Sequence, residues 1–139
     1  MELAGMMIRR ERQRRGWSQA GLCHGICAVS YLSKLEQGKA RPSPEVLALL
    51  GRLRRQGTVM AGICAGVDVL EMAGVLEGAA STHSRPEDLV ADGPVITARA
   101  SAYVDFAIAV AKALALFADE QDLAETLAFW KGTPSVFPE

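Results

Sequence analysis

The charge of this chain changes sign at Gly57. Residues 1–57 carry eleven Lys and Arg against four Asp and Glu, whereas residues 58–139 carry four against twelve. A basic segment joined to an acidic one is the pattern expected when one half of a chain meets a polyanion. The texture changes at the same place. Before Gly57, short stretches with helical spacing are cut by Gly and Pro; after it comes a β-branched apolar run. With 139 residues, 50% hydrophobic and 22% charged, the chain is globular and long enough for one ordinary domain or two small ones. Two domains are expected, 1–57 and 58–139, in a fold that is mainly α with a small α/β part.

In the basic half, residues 6–15 alternate apolar residues with arginine and run into Gly16, a good helix stop. Ser18 is placed to cap a helix starting at Gln19, with Leu22, Cys23 and Ile26 as one buried stripe. A second short helix is expected over 29–37, burying Leu32 and Leu35 and ending at Gly38. Pro42 and Pro44 then form a turn, and Ser43 caps a helix carrying Val46, Leu47, Leu49, Leu50 and Leu53. The result is a domain of four or five short helices.

The stretch "SQAGLCHGICAVSYLSKLEQGKARPS" resembles the helix-turn-helix of phage-repressor, or XRE-type, proteins, in the variant found in PlcR-like regulators. The resemblance implies double-stranded DNA as partner. It makes residues 29–37 a recognition helix, whose N-terminal residues face base edges in the major groove. Ala28, Val29, Ser30 and Lys34 are then the candidates for readout: Ser30 and Lys34 through hydrogen bonds, Ala28 and Val29 through thymine methyls. It places Gln19, Lys39 and Arg41 at phosphate contacts, and pairs Arg12 with Glu36 across the bundle as a structural link. Glu11 stands where that family often has leucine. The run "RRERQRR" reads equally as a solvated face or as a non-specific attraction for phosphate.

In the acidic half, "TVMAGI" reads as a buried strand ending at Cys64, "GVDVLEMAGVL" has helical spacing, and "AASTH" and "PVITA" read as two further strands. Ser101 is expected to cap a long helix through Ala118, and residues 120–130 form a last amphipathic helix. Strand–helix–strand order points to a partly parallel, three-stranded α/β unit. The apolar stretch 104–118 is interrupted by Asp105 and Lys112, so it is a buried helix and not a membrane span.

"MAGICAGVDVLEMAGVLEGAASTH" resembles the PfpI-type, class I amidotransferase-like superfamily, over about 58–130. The resemblance implies that Cys64 occupies a nucleophile elbow and that His83 lies near the family's histidine. It also implies that the fragment is truncated, because the family's first half, with the acidic partner of the cysteine, has no counterpart here. Cys64 is accordingly expected to be an inert or oxidisable thiol, with catalysis the lesser reading. A second segment is expected to be missing between Leu89 and Val90.

Three cysteines, Cys23, Cys27 and Cys64, form no disulfide framework, and the N-terminus lacks a signal-peptide pattern, so a reducing, cytoplasmic setting is expected. No metal or cofactor is expected. The leading functional reading is a sequence-specific DNA-binding transcriptional regulator, a homodimer whose C-terminal fragment serves dimerisation or sensing, with a small-molecule or peptide effector left open. The alternatives are a PfpI-type cysteine hydrolase or hydratase with an incomplete site, and a chimera of two fragments without a joint function. Uncovered sheet edges and a helix apolar nearly all round are what favour association.

Overall fold

A computed structural model describes residues 2–132 of the chain. They divide into two compact units, Met1–Leu47 and Ala48–Glu139, so the boundary falls ahead of the charge seam at Gly57.

The first unit is helical. α1 (Glu2–Arg14) stops at Gly16, whose φ of +67° turns the chain back so that the Trp17 N–H donates to the Arg12 carbonyl at 3.1 Å. α2 (Gln19–Cys23) begins where the extended backbone of Ser18 lets its Oγ accept the Gly21 N–H at 2.9 Å. α3 (Val29–Glu36) starts from the extended Ala28 and ends at Gly38, again at positive φ. Cys23, Leu32 and Ala40 form the buried interior. α1 crosses α3 at Gly5, where a Cβ would fall 1.8 Å from the Leu35 carbonyl oxygen. Only glycine permits that approach.

The stripe expected on α2 is partly redrawn. Cys23 is buried and Leu22 half-buried, but Ile26 is 78% exposed. The backbone leaves the helical region at His24, with ψ 117°, and Gly25 follows at φ +72°, so Ile26 lies beyond the helix; the chain then returns, and the Cys27 N–H donates to the Cys23 carbonyl at 3.1 Å.

α4 (Pro44–Arg55) spans the unit boundary. Ser43 Oγ accepts the Val46 N–H at 3.2 Å at its start. In the second unit its Leu50 and Leu53 pack on a core of Met60, Leu70, Val75 and Val95, and Arg54 Nε donates to the Val75 carbonyl. β1 (Met60–Ile63) runs parallel to β3 (Val95–Ala98) in the register Met60↔Val95, with α5 (Ala65–Met72) following β1. β2 (Leu89–Asp92) is antiparallel to β3, Leu89↔Ala98, giving the order β1-β3-β2. All four residues of the central β3 are buried. Removing its Val95 and Ile96 side chains from water contributes about 1.5–3 kcal/mol each. This is the expected fold class: a helical N-terminal part and a small, partly parallel three-stranded α/β part.

Three local expectations are corrected. "AASTH" is irregular and turning, not a strand: the Thr82 N–H donates to the Thr97 side chain at 3.0 Å instead of to a ladder partner. The place where a segment was expected to be missing holds β2, joined to β3 through Gly93, at φ +57°. The long helix is shorter than its apolar run. A 3-10 turn, Ala100–Ala102, precedes α6 (Tyr103–Ala113), and Ala115 ends it in the left-handed region at φ +51°. Ser101 lies within the turn; the cap residue is Ala102, with no side-chain bond.

α7 (Glu120–Lys131) is capped by Asp119, whose Oδ1 accepts the Asp122 N–H at 2.9 Å. Tyr103, Ile108, Phe117 and Trp130 line an apolar cavity of about 320 Å³ between α6 and α7, and an ion pair joins Lys131 to Asp105. No helix among the described residues is long and apolar enough to cross a membrane.

The two "GICA" tetrapeptides take unrelated shapes. Gly25 to Ala28 is the turn between α2 and α3. Gly62 to Ala65 is the end of β1 and the start of α5, and there a Cβ on Gly62 would meet Leu70 Cδ1 at 2.8 Å and the Gly66 backbone at 3.0 Å.

Candidate nucleic-acid interface

The helix-turn-helix is braced from inside by charge. Arg12 Nε and Nη2 donate to the two oxygens of Glu36, at 2.5 and 2.9 Å, and Nη1 donates to the Trp17 carbonyl at 2.8 Å. Gln19 Nε2 donates to Glu36 Oε2 at 3.0 Å. The Arg12 hydrogen bonds hold the Glu36 carboxyl below its ordinary range even though burial pushes the other way. One buried carboxylate thereby ties the end of α3 to α1, to the turn after α1 and to the first residue of α2.

With Glu36 inward, the opposite face of α3 points to solvent. Ser30, Tyr31 and Lys34 are exposed there; Val29, seven positions before Glu36 and so on its side of the helix, is exposed in the first turn, and Ala28 is exposed at the cap. Ser30 and Lys34 are four apart, hence neighbours on one helix face. They offer a hydroxyl and an ammonium, groups able to hydrogen-bond to base edges. Lys39 is exposed in the loop after α3. Arg41 Nη1 donates to the Gly38 and Ala40 carbonyls, at 2.8 and 3.1 Å. That docks one nitrogen against the loop and leaves the guanidinium further N–H groups. Gln19 is placed differently from the other candidates, since its side-chain amide is engaged by Glu36.

Ile26 and Tyr31, exposed around the start of α3, were not among the sequence candidates. The glycine just before Ile26 is the signal that could have found it. Within the basic run, Glu11 is held down to about 2 by hydrogen bonds from Arg14 and Arg15, and Arg15 also lies 5.1 Å from the Trp17 ring. Those two arginines are partly neutralised by the Glu11 carboxylate.

In the other unit, Cys64 is exposed at the N-cap of α5 with φ 52° and ψ −123°, and its N–H donates to the Ala98 carbonyl at 2.9 Å. That backbone region is sparsely populated by residues with a side chain. His83 turns to α5: Nε2 lies 3.2 Å from Asp68 Oδ1 and Nδ1 3.2 Å from Glu71 Oε2. Both ring nitrogens face carboxylates. No group of three or more His, Cys, Asp or Glu that could hold a metal ion occurs among the described residues.

The helix-turn-helix family model matches residues 8–53. No curated protein and no solved structure matches the chain. The match covers the second half of α1, then α2, the turn at Gly25, α3 and most of α4, and it supports sequence-specific binding of double-stranded DNA. Residues 8–53 form a helix-turn-helix domain.

Proposed function

We propose that the chain is a transcriptional regulator that reads double-stranded DNA with the exposed face of α3. The observation that carries this reading is the juxtaposition of Ser30 and Lys34 on one solvent face of a helix whose other face is anchored through Glu36. In this reading Ala28, Val29, Ser30 and Lys34 contact base edges, while Lys39 and Arg41 contact phosphate; Gln19 contributes chiefly by bracing Glu36. The test is selection of binding sites from randomised duplex DNA, followed by a salt titration on the selected site. Phosphate neutralisation makes the logarithm of affinity fall linearly with the logarithm of salt; a binding constant indifferent to salt would sink the reading.

The regulator acts as a homodimer assembled through the C-terminal unit. Tyr103, Leu116, Phe129 and Trp130 are large apolar side chains left exposed on or between α6 and α7, a concentration that marks an interaction surface. Dimerisation would present two recognition helices to half-sites about one helical turn apart. Sedimentation equilibrium checks this directly: a monomer at micromolar concentration contradicts it.

A second reading is favoured by the backbone of Cys64. Strand, positive-φ cysteine and helix together have the shape of a nucleophile elbow, as in the PfpI-type proteins that the sequence resembles, and a helix N-terminus favours the thiolate. His83 is committed to Asp68 and Glu71, so a cysteine hydrolase would need an acid or base from another chain. Alkylation of Cys64 as a function of pH distinguishes the two: an ordinary thiol midpoint near ~8.5 removes the enzyme reading.

A further inference from the structure

We propose that Cys23 and Cys27 are a site of reversible oxidation, at which a hydroperoxide converts the two thiols to a disulfide and loosens the start of α3. The sulfurs lie 3.3 Å apart, and the Cys23 sulfur lies 3.7 Å from the carbonyl oxygen of Ala28. The thiols form a chain in which Cys27 S–H donates to Cys23 and Cys23 S–H donates to that carbonyl. Ala28 is the cap of α3, and the same oxygen accepts the N–H groups of Tyr31 and Leu32, at 3.0 and 3.2 Å. A disulfide bond is about 2 Å long, so each sulfur has to move by less than about 1 Å to form it.

The two thiols differ in a way that orders the reaction. Cys27 is half-buried, whereas Cys23 is 3% exposed, and burial pushes the Cys23 thiol up. The Cys27 thiolate therefore attacks the peroxide first. The O–O bond breaks, the distal oxygen stays on Cys27 as a sulfenic acid, and the other leaves as an alcohol, or as water from hydrogen peroxide. Cys23 sulfur then attacks Cys27 sulfur; the S–O bond breaks, and hydroxide leaves with the Cys23 proton as water. The dithiol loses two electrons and two protons, and the peroxide gains them. Both S–H donors vanish, and Cys23 is drawn from its buried seat toward the turn. The cap of α3 loses its thiol bond, which links oxidation to the helix that faces DNA. The link to DNA rests on the reading above; the oxidation does not.

The experiment treats the full chain with a few equivalents of hydrogen peroxide, alkylates remaining thiols, and digests with trypsin. Both cysteines fall in the peptide 16–34, while Cys64 falls in another. The expected product is that peptide unalkylated, lighter by two hydrogen atoms, and returned to two alkylatable thiols by dithiothreitol. In the disulfide form, amide exchange at Tyr31 and Leu32 should accelerate about tenfold, and Cys27→Ser should abolish the peroxide effect on both amides. The proposal is overturned if the peptide keeps two thiols while Cys64 is oxidised, if only Cys27 sulfinic acid forms, or if the disulfide forms with exchange unchanged. The mass and exchange readouts do not depend on DNA binding, so failure of the regulator reading would be seen separately.

Discussion

Arg12 holds both oxygens of Glu36 across 24 positions of sequence, and the Glu36 side chain is 3% exposed. Such a pair fixes geometry more than it adds stability, because desolvation offsets much of the attraction; removing one partner strands a buried charge. Arg12→Met should lower the unfolding midpoint of the N-terminal unit by on the order of 10 °C. The double variant Arg12→Met/Glu36→Leu should recover most of that loss. Thermal unfolding followed by circular dichroism measures both, and a double variant no better than the single one would refute the explanation.

The same pair sets a pH dependence. Glu36 is depressed in the folded state by Arg12, and Glu11 is depressed to about 2 by Arg14 and Arg15. A depressed carboxyl contributes stability that is fully present above its unfolded value, here 4.5, and is lost as pH falls through the folded value. Glu11 is half exposed, so solvent screens its share. Stability should therefore be flat above about pH 5 and should fall below about 4.5, mainly through Glu36. Glu36→Gln should flatten the acid limb of a melting-point profile, whereas Glu11→Gln should hardly change it.

On α3, Lys34→Ala should cost about 1–3 kcal/mol on a selected duplex and relax preference at one or two base pairs. Ser30→Ala should have a smaller effect in the same direction. Lys39→Ala should weaken binding to all sequences alike and reduce the salt slope by about one. Binding isotherms on matched and single-mismatch duplexes at several salt concentrations separate the two kinds of loss. If Lys34→Ala behaves as Lys39→Ala does, Lys34 is a phosphate contact.

At Gly5 the missing Cβ is what lets α1 reach the Leu35 carbonyl. Gly5→Ala should destabilise the first unit by about 3 kcal/mol, opposite to the usual gain from alanine in a helix. Chemical denaturation decides the sign.

Cys64→Gly should stabilise the second unit by about 1 kcal/mol, since glycine adopts φ 52° and ψ −123° without strain. Cys64→Val should destabilise it by at least as much. In the native protein Cys64 should alkylate readily, while Cys23 should react only on unfolding.

The punctuation of the chain made most helices legible. Ser18, Ser43 and the glycines at 16 and 38 mark ends that the backbone obeys, because caps and positive φ act within a few residues. Legibility failed where tertiary partners decide. "AASTH" has the composition of a strand, yet its Thr82 N–H is taken by the Thr97 side chain, a partner fifteen residues away. β2 is four residues with an acidic end, too short to show a period. Of the candidate site, Ser30, Lys34 and Val29 could be placed from spacing and resemblance. The bond that draws Gln19 to Glu36, and the meeting of Cys23 with Cys27, need the folded turn.

Gly25 and Gly62 sit in identical tetrapeptides for opposite reasons: one needs a backbone twist with open space around it, the other needs an absent side chain. Handedness separates them. A D-alanine introduced by chemical synthesis at position 25 matches the φ of +72° and stiffens the unfolded chain, so it should be accommodated with a gain of about 1 kcal/mol. At position 62 L-alanine is excluded by Leu70 and Gly66, which leaves glycine no substitute there that mirror chirality at position 25 would supply.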